Sequence, residues 1–270
     1  MPELPEVEIT RLGLEPHLRR RKITGVIVRH RALRWPVPRN LDAILRGERI
    51  RAIARRAKYL LLDCGKGTLI LHLGMSGSLR IVPSTEAPGP YDHFDLSVGD
   101  IAVRLRDPRR FGAVLWHVGD PSRHPLLAHL GVEPLSSAFT GRCLYAAARG
   151  RRIPIKQLLM DHRLVAGVGN IYANESLFRA RIHPRTAAHR LALGRCERLA
   201  AAVRATLADA LAAGGSSLRD FVRSDGSPGY FQSQYFVYDR AGLPCRVCGR
   251  PIRRIVQGAR ASFYCPGCQR

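Results

Sequence analysis

The sequence predicts an α+β protein with three parts, and three observations lead to this prediction. Over roughly the first 120 residues, short segments of β-branched or alternating apolar residues are separated by turn signals. From about residue 121 the apolar residues recur at helical spacing. The last 30 residues contain six arginines, no acidic residue and two pairs of cysteines. We therefore expect an antiparallel sandwich or barrel at 1–120, a helical region at 121–235 and a small cysteine-rich unit at 236–270.

The elements follow in order along the chain. A first helix is predicted at "PEVEITRLGLEPHL". The strands are then predicted at "KITGVIVRH", "RAKYLLLDC", "GTLILHLG", "GSLRIV", "HFDLSV", "IAVRLRD" and "AVLWHV". The later helices are predicted at "HPLLAHLG", "FTGRCLYAAARG", "IPIKQLLMD", "NIYANESLFRA", 189–213 and "SSLRDFVRS".

The charge of the chain indicates a polyanionic partner. There are 44 basic and 21 acidic side chains, which give a formal net charge of +23. Neutralising phosphates releases condensed counterions, so nucleic acid is the favoured partner. A membrane surface is the alternative, but no basic amphipathic helix supports it. With neither an apolar run of about 18 residues nor a signal peptide, we expect a cytoplasmic protein.

The C-terminal cysteines have the spacing of a metal site. They form the pattern C-x2-C-x16-C-x2-C, made by Cys245, Cys248, Cys265 and Cys268. Four thiolates at this spacing bind one Zn²⁺ tetrahedrally and leave no open position for water, so the zinc would be structural. The alternative is two disulfides, which a chain without a secretory signal disfavours.

A second candidate site is the glycine-rich stretch "LVAGVGNIYANESLF". Gly167 and Gly169 free the backbone, and Asn170 is a suitable N-cap for the following helix, so several amides could face one phosphate. The preceding helix carries Lys156, and two helices joined in this way could hold a DNA backbone. An ordinary glycine-rich turn is the alternative.

Two loops carry side chains suited to entering a duplex. In "DPRRFG", Arg109 and Phe111 could replace an extruded base, whereas the alternative is a solvated surface turn. In "HLGMSGSLR", His72 is a candidate phosphate contact. Met75 is either an apolar probe or a core residue.

The N-terminus "MPELPEVE" suggests covalent catalysis. Removal of the initiator Met would leave a free secondary amine at Pro2, and an α-amino group has a reference pKa of about 7.7–8.0 against about 10.4 for Lys. Such an amine can form a Schiff base at C1′ of a flipped-out nucleotide, with Glu3 beside it to move protons. The alternative is that these residues are only the first turn of a helix.

Taken together, the motifs resemble bacterial formamidopyrimidine-DNA glycosylases. The resemblance rests on "MPELPEVE", "RRAKYLLL", "HLGMSGSLR", "DPRRFG", "LVAGVGNIYANESLF", "SDGSPGYF" and the finger ending in "RASFYC", in one order along nearly all 270 residues. It implies an N-terminal antiparallel β-sandwich flanked by helices, a helix-two-turns-helix domain and a four-cysteine zinc finger.

The resemblance also implies roles for individual residues. Pro2 is similar to the family's nucleophile and Glu3 to its acid/base. The family's phosphate contacts are matched by Lys58, His72, Asn170 and Arg260. The residues that fill the gap left in the duplex by the flipped nucleotide are matched by Met75, Arg109 and Phe111. Glu6 is similar to a supporting residue of the N-terminal site, and Glu175 to a carboxylate near the pocket. The 224–231 segment resembles a loop that closes over the damaged base, although Ser227 stands where the family often has Lys.

The implied function is a bifunctional DNA glycosylase and AP lyase of base excision repair. It would remove 8-oxoguanine and formamidopyrimidines from double-stranded DNA and cleave abasic sites by β,δ-elimination. We expect a monomer in the bacterial cytoplasm, associated with the nucleoid through DNA. The alternatives are an endonuclease VIII-like glycosylase for oxidised pyrimidines and a noncatalytic zinc-containing DNA-binding protein.

Overall fold

The computed structural model describes residues 1–216 and 223–270. The chain divides into two compact units, the first built from Met1–Ala128 and Ala213–Gln232 and the second from His129–Ala212 and Ser233–Arg270. This grouping does not test the three-part division at 1–120, 121–235 and 236–270, which stays a prediction. No helix of the described residues is long and apolar enough to cross a membrane.

The first unit opens with helix α1, Leu4–Leu18, as the sequence predicts. Glu3 and Glu6 form a reciprocal capping box, which satisfies amides that a helix N-terminus otherwise leaves unpaired. Leu4, Val7 and Leu14 recur on one face of the helix and are fully buried. The helix packs this face on the neighbouring strands, and burying each leucine contributes about 1.5–3 kcal/mol.

Two antiparallel sheets follow. Their strands are β1 Gly25–Val28, β2 Ala52–Arg56, β3 Tyr59–Asp63, β4 Thr68–His72, β5 Ser78–Pro83, β6 Asp92–Val98, β7 Ile101–Arg106 and β8 Ala113–His117. One sheet has the order β1-β6-β7-β5 and the other β2-β3-β4-β8. Of the two predicted alternatives, the structure therefore has the sandwich and not the barrel. Its two separate sheets share one apolar core.

The core of this unit is formed by residues of both sheets. In β3 the buried residues Leu60 and Leu62 alternate with half-buried ones, so only one face of this strand enters the core. They meet Phe94 and Leu105 of the other sheet in the same cluster. A short helix, α2 Leu41–Leu45, adds two leucines to this core.

The second unit holds the remaining helices and a small hairpin. Its elements are α3 Gly141–Ala148, α4 Ile155–Met160, α5 Asn170–Arg179, α6 Leu193–Ala212, β9 Arg253–Gln257 and β10 Arg260–Tyr264. Helix α5 packs against α4, α6 and β10, so it lies at the centre of the unit. The strands β9 and β10 pair antiparallel between the two cysteine pairs.

One helical prediction is wrong, and another lies largely outside the described residues. The segment "HPLLAHLG" forms turns and no α-helix. Pro125 lacks an amide hydrogen, and Gly131 donates its N–H to His162 O instead of to the preceding turn. The predicted helix "SSLRDFVRS" covers residues 217–222, which lie outside the described residues.

Candidate functional site

The N-terminus of α1 carries two buried glutamates, Glu3 and Glu6. Glu3 is 2% exposed, and its N–H donates to Glu6 Oε2 at 2.8 Å. The other oxygen of Glu6 accepts from the backbone N–H of Ser216 at 2.9 Å. Pro2 is buried, whereas the Met1 side chain is 45% exposed. Pro2 and Glu3 therefore lie in a protected corner of the first unit, which Glu6 ties to the returning chain segment.

The segment after residue 223 is anchored on both α1 and β5. The N–H of Ile81 donates to Ser224 O at 2.9 Å. Ser224 Oγ approaches Gly13 so closely that a Cβ at this glycine would lie 2.0 Å away. Glycine inside a helix costs about 1 kcal/mol of stability relative to alanine. The contact with Ser224 explains why glycine nevertheless occurs at position 13, since a larger residue would clash there. The hydroxyl of Ser227, the residue that stands where the family often has Lys, donates to Asp225 Oδ1 at 2.7 Å.

Lys58 lies in the two-residue turn between β2 and β3, where its side chain is half-buried. The neighbouring His72, at the end of β4, packs its ring against Tyr59 with 4.8 Å between centroids. Burial, with the charges of Lys58 and Arg34, lowers the pKa of His72 to about 4. Its Nδ1 accepts from the N–H of Gly74 at 3.0 Å, so the neutral ring carries its proton on Nε2. His72 is thus a neutral hydrogen-bond donor at physiological pH.

Three residues predicted to enter the duplex lie on adjacent loops. Met75 and Phe111 are 42% and 47% exposed, which is high for large apolar side chains. Arg109 Nη1 contacts Met75 Sδ at 3.8 Å. The two loops touch at Gly74, which has φ +64°, and a Cβ there would lie 2.4 Å from the Phe111 carbonyl carbon. The structure therefore brings these three side chains together at one exposed surface.

Asp107 organises this surface, although it is not among the residues that the sequence motifs indicated. Its buried carboxylate accepts from Ser76 Oγ at 2.8 Å and from the N–H of Gly112 at 2.7 Å. The N–H of Arg109 also donates to it, at 3.3 Å. An Asp directly before Pro is a common turn initiator, and this signal in "DPRRFG" could have identified it.

In the second unit, the start of α5 differs from the prediction. Gly169 is the N-cap and Asn170 is the first helical residue, so the predicted cap at Asn170 is wrong by one position. Gly169 takes the extended conformation of a cap, and no Asn side chain is required there. The side chain of Asn174 donates to Asn170 O at 2.6 Å and accepts from the N–H of Phe263 at 2.8 Å. Asn174 thereby connects the start of α5 to β10.

The position of Lys156 also differs from the prediction. The sequence places it among the DNA-contacting residues, but the structure buries it to 1% exposure. Its ammonium donates to Ala261 O at 2.8 Å and to Ser262 Oγ at 2.6 Å. A charge in the interior needs such partners, because an unpaired one would cost several kcal/mol. In this structure Lys156 fastens α4 to β10 and does not present its charge at the surface.

Glu175 is buried inside the second unit, with 3% exposure. Its carboxylate accepts three backbone N–H groups, from Phe236, Val237 and Tyr238, at 2.7–3.0 Å. Burial raises the pKa of this carboxyl, against the lowering effect of the three amides. Glu175 thus holds the chain segment that leads into the cysteine-rich hairpin.

The four cysteines form the metal centre that the sequence predicts. Their sulfur atoms all lie within 4.8 Å of one another, and they make the one such His/Cys/Asp/Glu group among residues 1–216 and 223–270. Cys245 and Cys268 are 3.9 Å apart at Sγ, and Cys248 and Cys265 are 3.4 Å apart. A tetrahedral Zn²⁺ with Zn–S bonds of about 2.3 Å requires edges of about 3.8 Å, so the donor set fits this ion.

The zinc hairpin presents Arg260. The turn between β9 and β10 is formed by Gly258 and Ala259, both with positive φ. Arg260 follows it and is exposed. With Asn170 it belongs to the second unit, whereas Pro2, Glu3, Lys58 and His72 belong to the first.

Comparison with protein families covers most of the chain. The formamidopyrimidine-DNA glycosylase N-terminal domain matches residues 1–114. The formamidopyrimidine-DNA glycosylase H2TH domain matches residues 130–222, and a zinc finger found in FPG and IleRS matches residues 242–270.

Curated relatives match over the full length. A formamidopyrimidine-DNA glycosylase of Burkholderia ambifaria is 58% identical over 275 residues, and one of Ralstonia nicotianae is 56% identical over 288 residues. Both comparisons cover 100% of this chain and of the relative.

Solved structures agree with these relatives. The MutM (Fpg) protein from Thermus thermophilus has a TM-score of 0.89 and 42% identity, over 99% of this chain and 98% of that one. A complex of a Lactococcus lactis Fpg mutant with Fapy-dG-containing DNA has a TM-score of 0.93 and 32% identity, and it covers both chains fully.

The fold and the cysteine centre, with these matches, define a DNA glycosylase that carries a zinc finger. The four thiolates hold one structural zinc ion. The chain belongs to the formamidopyrimidine-DNA glycosylase family.

Proposed function

We propose that the chain is a bifunctional DNA glycosylase and AP lyase that removes oxidised purines, 8-oxoguanine and formamidopyrimidines, from double-stranded DNA. The observation that carries this proposal is Glu3, a carboxylate 2% exposed directly beside Pro2. A buried acid at this position is placed to move protons for the neighbouring amine. The protein acts as a monomer in the bacterial cytoplasm, where DNA binding associates it with the nucleoid.

The reaction begins once Met1 has been removed. The neutral Pro2 amine attacks C1′ of the flipped-out nucleotide, and the C1′–N bond breaks with its electron pair on the base. The proton lost from the Pro2 nitrogen balances the proton that the departing base takes up. Glu3 supplies protons while the sugar ring opens. The resulting iminium acidifies the C2′ protons, so β-elimination releases the 3′ phosphate oxygen. A following δ-elimination releases the 5′ phosphate oxygen.

DNA contacts come from both units. In the first, the Lys58 ammonium and the Nε2–H of neutral His72 bind phosphates beside the lesion. In the second, Asn170 and Arg260 bind the backbone. The net charge of +23 strengthens all of these contacts at low salt. Relatives with solved structures include Lactococcus lactis Fpg bound to DNA with an abasic site, which supports this partner.

Borohydride trapping tests the proposal. During incubation with a duplex containing 8-oxoguanine, borohydride should reduce the iminium to a stable protein–DNA adduct. Peptide mapping should locate the adduct at Pro2. A matched protein with one residue added before Pro2 should give no adduct, because an amide nitrogen is not a nucleophile.

The outcomes separate the alternatives. An adduct at Lys58 would overturn the Pro2 mechanism and make Lys58 the reacting amine. Adducts with oxidised pyrimidines alone would indicate an endonuclease VIII-like specificity. Tight binding of the duplex without any adduct would indicate a noncatalytic DNA-binding protein.

We expect Phe111→Ala to impair excision of 8-oxoguanine from a duplex more than cleavage at a ready-made abasic site. The exposed ring occupies the gap that a flipped base leaves, and a base–aromatic stack contributes about 1–3 kcal/mol. Excision should therefore fall about ten- to a hundredfold, which single-turnover rates on the two substrates would measure.

The control for this prediction is Val118→Ala. Val118 is also an exposed apolar residue of the first unit, with 70% exposure, but lies outside the "DPRRFG" and "HLGMSGSLR" loops. Its rates should match those of the unaltered protein. Equal losses of Phe111→Ala on both substrates would count against the wedge role.

A further inference from the structure

Arg55 connects helix α1 to the turn that carries Lys58. Its Nε donates to Glu8 Oε2 on α1 at 2.9 Å. Its Nη1 donates to Ala57 O at 2.9 Å. The Arg55 side chain is only 10% exposed, so both contacts are largely shielded from water. The planar guanidinium therefore bridges two elements in a fixed geometry.

The carbonyl that Arg55 binds belongs to the Ala57–Lys58 peptide. Ala57 has φ +52°, a left-handed conformation that costs a non-glycine residue about 1–2 kcal/mol. This conformation directs the peptide plane from which Lys58 departs. By holding this oxygen, Arg55 restrains the orientation of the peptide and hence the origin of the Lys58 side chain.

The other end of the bridge is itself fixed. Glu8 Oε1 accepts from Nε and Nη2 of Arg11 at 2.9 and 2.8 Å. Although burial tends to raise the pKa of the Glu8 carboxyl, Arg11 and Arg55 hold it below its ordinary value. Glu8 is therefore an ionised anchor on the same helix whose N-terminus carries Glu3.

We propose that Arg55 is a positioning residue that sets Lys58 relative to the N-terminal helix, through the chain Glu8–Arg55–Ala57 O. This rests on the proposed function, in which Lys58 binds a phosphate beside the lesion. The guanidinium acts through Lys58 and does not bind DNA itself. Loss of the bridge should leave Lys58 present but badly placed.

A double-mutant cycle tests the proposal. Arg55→Met should lower kcat/KM on the 8-oxoguanine duplex about tenfold, the scale of one charge-assisted hydrogen bond. Lys58→Met should lower it at least as much. The double variant should be no slower than Lys58→Met alone, because Arg55 then has nothing to position.

The salt dependence of DNA binding distinguishes a misplaced Lys58 from a loss of protein stability, because a loss of stability would not change it. Each phosphate contact contributes about 0.9 to the slope of log K against log salt. Arg55→Met, Lys58→Met and the double variant should each reduce the magnitude of this slope by about 0.9, the contribution of one phosphate contact. Arg55→Lys retains the charge but cannot span both oxygens, so it should behave like Arg55→Met.

Arg46→Met is the matched control. Arg46 also bridges a carboxylate and a carbonyl, with Nε 3.1 Å from Asp42 Oδ2 and Nη1 2.7 Å from Thr24 O. It should leave both kcat/KM and the slope unchanged. Circular dichroism would establish that all variants fold.

The failures are distinguishable. Additive losses in the double variant, or full activity in Arg55→Lys, would overturn the positioning role while the Lys58 role stands. An unchanged rate and slope in Lys58→Met would overturn the role of Lys58 and this inference with it. Failure of Arg55→Met to fold would leave the decision to Arg55→Lys.

Discussion

We expect the Glu3→Gln protein to bind a lesion duplex as tightly as the unaltered chain but to release the base at least about a hundredfold more slowly. Glutamine has the shape of glutamate, and its amide oxygen can still accept the Glu6 N–H of the capping box. What it lacks is an ionisable carboxyl, which the proposed mechanism requires for proton exchange with the Pro2 amine and the sugar. Single-turnover base release and fluorescence anisotropy would measure the two properties separately.

The matched control is Glu48→Gln. Glu48 is a carboxylate of the same unit, and its partner is Lys66 at the surface, 2.7 Å away. Base release by this variant should be unchanged, since an exposed ion pair contributes about 1 kcal/mol or less to stability. Normal base release by Glu3→Gln would exclude Glu3 as the acid/base.

Cys248→Ser should lose zinc and DNA affinity together. A serine hydroxyl is not a thiolate, so the tetrahedral set falls to three sulfur ligands, and the binding free energy of zinc that folds the hairpin is lost. Arg260 then no longer has a fixed position, and the dissociation constant for DNA should rise at least about tenfold. Elemental analysis and anisotropy on the same preparation would measure both effects.

Cys143→Ser provides the control for the metal. Cys143 is half-buried in α3 and lies outside the four-cysteine group. This variant should retain one zinc per chain and normal affinity. Freshly purified unaltered protein without stoichiometric zinc would contradict the metal assignment, and zinc loss with unchanged affinity would contradict the role of the finger in DNA binding.

The sequence predicts well those features that are local. Segments of β-branched or alternating apolar residues identify seven of the strands, including β3 with its alternating Leu60 and Leu62. The spacing of the cysteines identifies the zinc centre. Strand β2 and helix α2 were not predicted, because "AIARR" has only one large apolar residue and "LDAIL" is too short for a helical period.

The sequence does not indicate which polar side chains are buried or which partners they bind. Lys156 and Glu175 occur in motifs with a functional resemblance, yet each has its hydrogen-bond partners about 60 or more residues away along the chain. Only tertiary packing determines whether such a side chain faces solvent or closes a gap between elements. Asp107 is the reverse case, since its partners lie partly within its own turn.

The N-terminal site also depends on non-local contacts. The sequence places Pro2 and Glu3 together because they are neighbours, and their assignment as the reacting pair stays a prediction. The connection from Glu6 to Ser216 joins residues 210 positions apart, and no pattern in the sequence indicates it. The same holds for the close approach of Ser224 to Gly13.

The contact between Glu6 and Ser216 has a consequence for biosynthesis. The first unit is discontinuous, because Ala213–Gln232 joins it only after the chain has passed through most of the second unit. At about 5–20 residues per second, a ribosome needs about 10–40 s to translate the intervening 210 residues. During this time the nascent sandwich has an incomplete N-terminal corner, and Glu6, beside Pro2 and Glu3, gains its contact with Ser216 only after the chain has been translated through that residue.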